Sequence, residues 1–358
     1  MSDRAASLDI AAATRRPADA GAPRLVHLDG LRGVAAVGVV LYHVYKVYGL
    51  KLGFERGYLF VDLFFMLSGF VLTRAWAGAF SRGVGSATLM RARLRRLWPT
   101  VAAGAVLGAG VHWVVGDVAH VWPLLVLALA LLPHLGHRGP IFPLNGPQWS
   151  IFWELIANFL HIFCCRHLGE RSLLLFAGVM GSCMILAIVI CGQINFGPMN
   201  ELWWFGAARV GWSYAVGMVI ARRWQPGQRW DWARWWLVLG LIVLAVLLLP
   251  WLPLSLARGD MLVVLVVFPA LFWAMVRARP PQASARVLAW LGGLSFPLYA
   301  THLTVLFYCA AQPWPKAPSA ALAVGAALLL AAGTALASGR QQRRRPSAAT
   351  CLTPGALA

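Results

Sequence analysis

Apolar runs of about 18–22 residues recur along nearly the whole chain, each long enough to cross a hydrocarbon core about 30 Å thick. Clear runs lie near 34–50, 58–76, 98–116, 173–192, 203–221, 236–252, 260–276, 287–310 and 317–338, with weaker ones near 120–136 and 149–165. Backbone inside lipid must satisfy its own N–H and C=O groups, so such runs fold as helices. The expectation is an all-α fold, a polytopic transmembrane bundle of about ten spans. Composition agrees, because only 12% of the 358 residues are charged while 60% are hydrophobic. A water-soluble domain keeps roughly a quarter of its residues charged.

A net charge of +19 invites a nucleic-acid partner, but the placement of the cations argues against one. Lys and Arg sit between the apolar runs, in short loops and tails, as the positive-inside rule expects. There they meet anionic lipid head groups and anionic cytosolic ligands. The strongest clusters are Arg91–Arg93–Arg95–Arg96, Arg222–Arg223–Arg229–Arg234, Arg277–Arg279–Arg286 and Arg340–Arg343–Arg344–Arg345. Setting all four in the cytosol with the N-terminus leaves an even number of crossings between most neighbours. The exception lies between 97 and 165, where three apolar segments stand and the charge rule needs an even number. One of 98–116 and 120–136 is therefore expected to stop short of crossing. Pro123, Pro133 and a short apolar length make 120–136 the suspect.

Residues 1–24 hold Arg4, Arg15 and Arg16 without an apolar core, so a disordered cytosolic tail is expected there in place of a signal peptide. A second basic tail is expected over 339–358, leaving 25–338 as one membrane domain. The cysteines at 164, 165, 183, 191, 309 and 351 show no CxxC spacing and read as small packing residues.

An ionisable side chain at membrane depth costs several kcal/mol on the gentlest scales, so each one marks a candidate site. Arg32 and His43 are eleven residues apart, about three turns and about 16 Å, and share one helix face. Asp62 enters its span from the outer side at a depth comparable with His43, where a carboxylate could hold the imidazole in one tautomer. Ser68 and Gly69 read as packing residues. Ser150, Glu154, Asn158 and His161 form a polar stripe on one helix face, headed by Trp149, with Glu154 a turn or so from the outer end. Ser295, Tyr299 and His302 share another face beside Pro297, which locally frees a backbone carbonyl. Arg209 is a further intramembrane cation in need of a carboxylate. Arg93 and Arg96 stand a turn apart and present guanidinium forks suited to phosphate, although from the residues alone a topogenic cluster is the better default.

Taken in order, LDGLRGVAAVGVVLYHV (28–44), FVDLFFMLSGFVLT (60–73), RLRRLWP (93–99), WSIFWE (149–154) and LSFPLYATHL (294–303) resemble the bacterial acyltransferase family 3. That family includes O-antigen and other surface-polysaccharide O-acetyltransferases. The resemblance runs from 28 to about 335. It implies about ten spans in the bacterial inner membrane, a cytosolic acyl-CoA donor (acetyl-CoA is the commonest), and a carbohydrate or lipid-linked hydroxyl acceptor. Arg32 and His43 match its Arg-x10-His pair, Arg93 and Arg96 its Arg-x-x-Arg pair, and Glu154 its WSxxxE carboxylate. Met66 interrupts the usual FFVLSGF, and no soluble domain is seen after the last span.

The expected chemistry is direct transfer with His43 as base, oriented by Asp62 or Glu154, with an acyl-histidine intermediate as the open alternative. Arg32, Arg93 and Arg96 would hold the CoA phosphates. Trp149, Ser150, Arg209, Tyr299 and His302 are expected around the substrates. No metal is called for, since no clustered ligand spacing appears. A transporter or flippase would also line a path with His, Glu and Arg, but should repeat between halves, and no such repeat is evident.

Overall fold

The structure is a computed structural model that describes residues 25–115, 120–230, 232–279 and 283–343, with side chains described as far as 336. The apolar runs become helices: α1 Val26–Tyr48, α2 Phe60–Ser81, α3 Ser86–Val115, α4 Val121–Leu129, α5 Gln148–Phe163 and α6 Glu170–Cys191. They continue as α7 Gly206–Arg223, α8 Trp235–Leu248, α9 Leu256–Val276, α10 Ala285–Ala310 and α11 Lys316–Arg343. Among the described residues no strand forms, only the isolated bridges Pro140–Met199 and Arg234–Arg279.

The all-α expectation holds, and α2, α3, α6, α9 and α11 are each long and apolar enough to cross a membrane. With 23 and 26 residues, α1 and α10 also have the length but carry polar residues along it. The suspect segment is the short one. With nine residues, α4 is only about 14 Å long and falls far short of a bilayer core. Beyond it Leu131, Gly136 and Gly139 adopt positive φ, and the returning loop buries Ile141, Phe142, Leu144 and Asn145. The tails expected at 1–24 and 339–358 lie outside the described residues, except for 339–343, which continue α11 as helix where a tail was expected.

Two helix pairs organise the interior, and in each the partners run the same way. Along α1 and α10, Asp29 lies against Gly292, Arg32 reaches Ser295 and His43 reaches His302, so residue numbers rise together. A Cβ on Gly292 would stand 2.5 Å from that of Asp29; only glycine permits this approach. Along α2 and α7, Gly69 abuts the Tyr214 carbonyl and Gly217 the Met66 carbonyl, with Asp62 beside Ser213. Small residues let these backbones close, as in lipid they must, because hydrophobicity alone does not drive helices together there.

One helix is locally rewound. Pro269 lacks the N–H that would close on the Leu265 carbonyl, and residues Val263–Val267 of α9 form a π segment. The Val264 carbonyl accepts from Trp212 Nε1 at 3.2 Å.

Candidate active site

His43 stands on the face that α1 turns toward α10. Its Nδ1 lies 3.0 Å from the Val39 carbonyl and 3.0 Å from His302 Nε2. His302 in turn sets its Nδ1 3.0 Å from the Leu298 carbonyl and 2.9 Å from that of Tyr299. His302 is fully buried, whereas His43 keeps part of its surface open. Tyr42 packs edge-on against the His43 ring at a centroid distance of 4.9 Å.

Three turns before His43, Arg32 is held through two nitrogens of its guanidinium. Its Nε donates to Ser295 Oγ at 2.8 Å, and its Nη2 donates to the Gly292 carbonyl at 2.7 Å and to Asp29 Oδ1 at 3.3 Å. Ser295 Oγ donates to that same carbonyl at 2.7 Å, close to the break in hydrogen bonding that Pro297 imposes. The Arg32 side chain remains 29% exposed, so it is held in place without being closed off.

A second polar cluster joins α2, α3 and α5. Glu154 accepts from Arg93 Nη2 and from Ser68 Oγ, the latter at 2.6 Å. Two expectations change here. Ser68 is a hydrogen-bond donor to a carboxylate and not a spacer like Gly69. Glu154, expected near the outer rim, meets a guanidinium expected at the cytosolic mouth, so the two stand at one level and the two expected depths do not hold together. Arg93, expected on phosphate, is committed to this carboxylate, and Arg96 lies exposed on α3.

The stripe on α5 faces protein throughout. Tyr299 donates to Ser150 Oγ at 2.6 Å, since the Ser150 hydrogen goes to the Pro147 carbonyl. The Tyr214 hydroxyl donates to Asn158 Oδ1 at 3.0 Å and lies 3.0 Å from His161 Nδ1.

Asp62 departs furthest from its expected part. Its carboxylate is gripped by Arg209 through Nε at 3.1–3.2 Å and Nη2 at 2.7 Å, and Ser213 donates to it at 3.1 Å. Arg209 also donates to the Ile194 and Tyr58 carbonyls. Both side chains are wholly buried, so Asp62 belongs to Arg209 and makes no hydrogen bond to His43. The imidazole's side-chain partner is His302, not a carboxylate.

The residues expected around the substrates are likewise interior. Trp149 packs on Phe65 and sits 5.7 Å from the Arg209 guanidinium. Ser150, Arg209, Tyr299 and His302 are buried with their polar atoms engaged. His43, Arg32, Arg93 and Glu154 keep some surface.

One constellation was missed. Asp260, buried at the head of α9, accepts from Arg56 Nη1 at 2.9 Å and from the Tyr58 hydroxyl at 2.7 Å. Its signal was available, as an acid at the very edge of an apolar run. Cys164, Cys165, Cys183, Cys191 and Cys309 are free thiols.

A protein-family model described as an acyltransferase domain matches residues 25–338. A curated relative, "Protein 2 in picA locus" of Rhizobium radiobacter, is 34% identical over 154 residues, covering 38% of this chain and 79% of that protein. No solved structure matches the chain.

Proposed function

The chain belongs to acyltransferase family 3, and from that premise we propose that it moves an acyl group, acetyl by expectation, from acyl-CoA to a hydroxyl of a carbohydrate or lipid-linked acceptor. The observation that carries this reading is His43: a partly open imidazole in a membrane helix, held on one nitrogen by a buried second imidazole. Histidine is the side chain whose ordinary titration range brackets neutral pH, which suits a general base.

In the proposed step, His43 takes the proton of the acceptor hydroxyl as that oxygen attacks the thioester carbonyl. The C–O bond forms, the C–S bond breaks, and the imidazolium returns its proton to the departing CoA sulfur. Arg32, anchored yet partly exposed, offers a fixed cation for CoA phosphate at the cytosolic end of the same helix face. Arg96 is the second candidate. Arg93 joins them only if its pair with Glu154 opens.

The proposed setting is the inner membrane, with ten spans and both ends of the chain cytosolic. The common direction of α1 and α10 supports this count. Omitting α4 leaves seven crossings between them, so α10 runs as α1 does; an eighth would reverse it. This arrangement also keeps all four arginine clusters on one side.

Mass spectrometry of surface glycans and lipids from deletion and His43→Ala strains tests the reading. Loss of one acyl unit in both is expected. Unchanged masses in the His43→Ala strain, or a purified protein that consumes no acetyl-CoA, would overturn it.

A further inference from the structure

We propose that His302 is the positioning residue of this centre, fixing His43 in the tautomer whose Nε2 is the free base. The proposal rests on the reading of His43 as base and adds what makes that ring competent.

His302 Nδ1 lies 2.9 and 3.0 Å from two backbone carbonyls. Carbonyl oxygens only accept, so this nitrogen carries a hydrogen. In the neutral ring, Nε2 of His302 is then a lone pair, and it faces His43 Nδ1 at 3.0 Å. The other neighbour of that nitrogen, the Val39 carbonyl at 3.0 Å, also only accepts. With acceptors on both sides, His43 Nδ1 holds the hydrogen, and the lone pair is left on Nε2.

The Val39 carbonyl already takes the helix hydrogen bond of the His43 N–H, so without His302 the Nδ1 proton has only a shared acceptor and is freer to move to Nε2, where it cannot serve as base. His302 removes that freedom. When Nε2 takes the acceptor's proton, the imidazolium keeps its Nδ1–H pointed at two acceptors, which stabilise the new charge without taking the proton. The role parallels that of the acid in a Ser-His-Asp triad, filled by a neutral ring. A carboxylate in the same place would have to be buried as a bare charge, at far greater cost. His302 has no exposed surface, so it touches neither donor nor acceptor.

Two variants of the full chain test this in vesicles made from the host's own membranes, which retain the native acceptor, supplied with acetyl-CoA and read by thiol release. His302→Leu is expected to lower kcat about 100-fold with the KM for acetyl-CoA unchanged. His302→Gln presents Oε1 near the site of Nε2 and is expected to stay within about tenfold of the parent. Nitrogen-15 spectra of histidine-labelled protein should report Nδ1–H at His43 in the parent and a shift toward Nε2–H in His302→Leu.

The proposal is overturned if Leu and Gln lose activity alike, in step with thermal stability, or if the His43 spectrum is the same in parent and His302→Leu. A fully active His43→Ala would sink the base assignment itself, a distinct result.

Discussion

Two polar pairs lie at the heart of this molecule, each between helices that run in the same direction, and they are built to opposite ends. Between α2 and α7, Asp62 and Arg209 exclude all solvent, and every arm of the guanidinium has an acceptor. Between α1 and α10, His43 and His302 share a single contact, and one ring keeps an open side. A fully satisfied ion pair has nothing left to offer a substrate. It ties helices together, and its value lies in the damage done by removing one partner. A pair of neutral rings costs little to bury and leaves one nitrogen uncommitted. On the proposed reading, scaffold and chemistry differ in unspent lone pairs and not in charge.

Breaking the sealed pair should have the largest effect. Arg209→Ala strands the Asp62 carboxylate and is expected to cost about 3–5 kcal/mol, seen as loss of folded protein from membranes. The double variant Asp62→Leu with Arg209→Met should recover most of that loss, measured by thermal melting in detergent. His43→Ala should do the reverse, lowering turnover about 100–1000-fold (~3–4 kcal/mol of barrier) while melting stays close to the parent. Glu154→Gln sharpens the middle case: it weakens the contacts to Arg93 and Ser68 and should cost about 1–3 kcal/mol of stability. At the bottom of the scale, Glu170→Gln removes the exposed pair with Arg223, where both side chains are about half exposed, and should shift stability by about 0.5 kcal/mol or less.

What was legible in the sequence follows the same divide. Periodicity along one helix is a local property, so the stripe of Ser150, Glu154, Asn158 and His161 could be read and does face protein. Proline and a short apolar length were enough to single out the segment that became α4. The need of Arg209 for a carboxylate was equally readable, since a lone buried cation is untenable. Which carboxylate it takes was not. Asp62 and His43 were matched by depth, but depth says nothing of the direction a side chain faces around its helix. Asp62 therefore turned out to serve α7, and His43 to meet a residue 259 positions away in the chain. Glu154 and Arg93 were set at opposite depths for a related reason: counting along each helix from its own end does not show how two helices are offset, and here the two side chains meet.

That separation of 259 positions also has a consequence in time. A ribosome adding about 5–20 residues per second needs roughly 10–50 s to travel from the first imidazole to the second. Until then the ring of the early helix lacks the partner that its Nδ1 meets in the folded chain. The pair therefore forms late, when α10 docks beside α1, and a chain cut off before that point holds the first ring without the second. On the proposed reading, synthesis order alone would keep the base unset until α10 has been made.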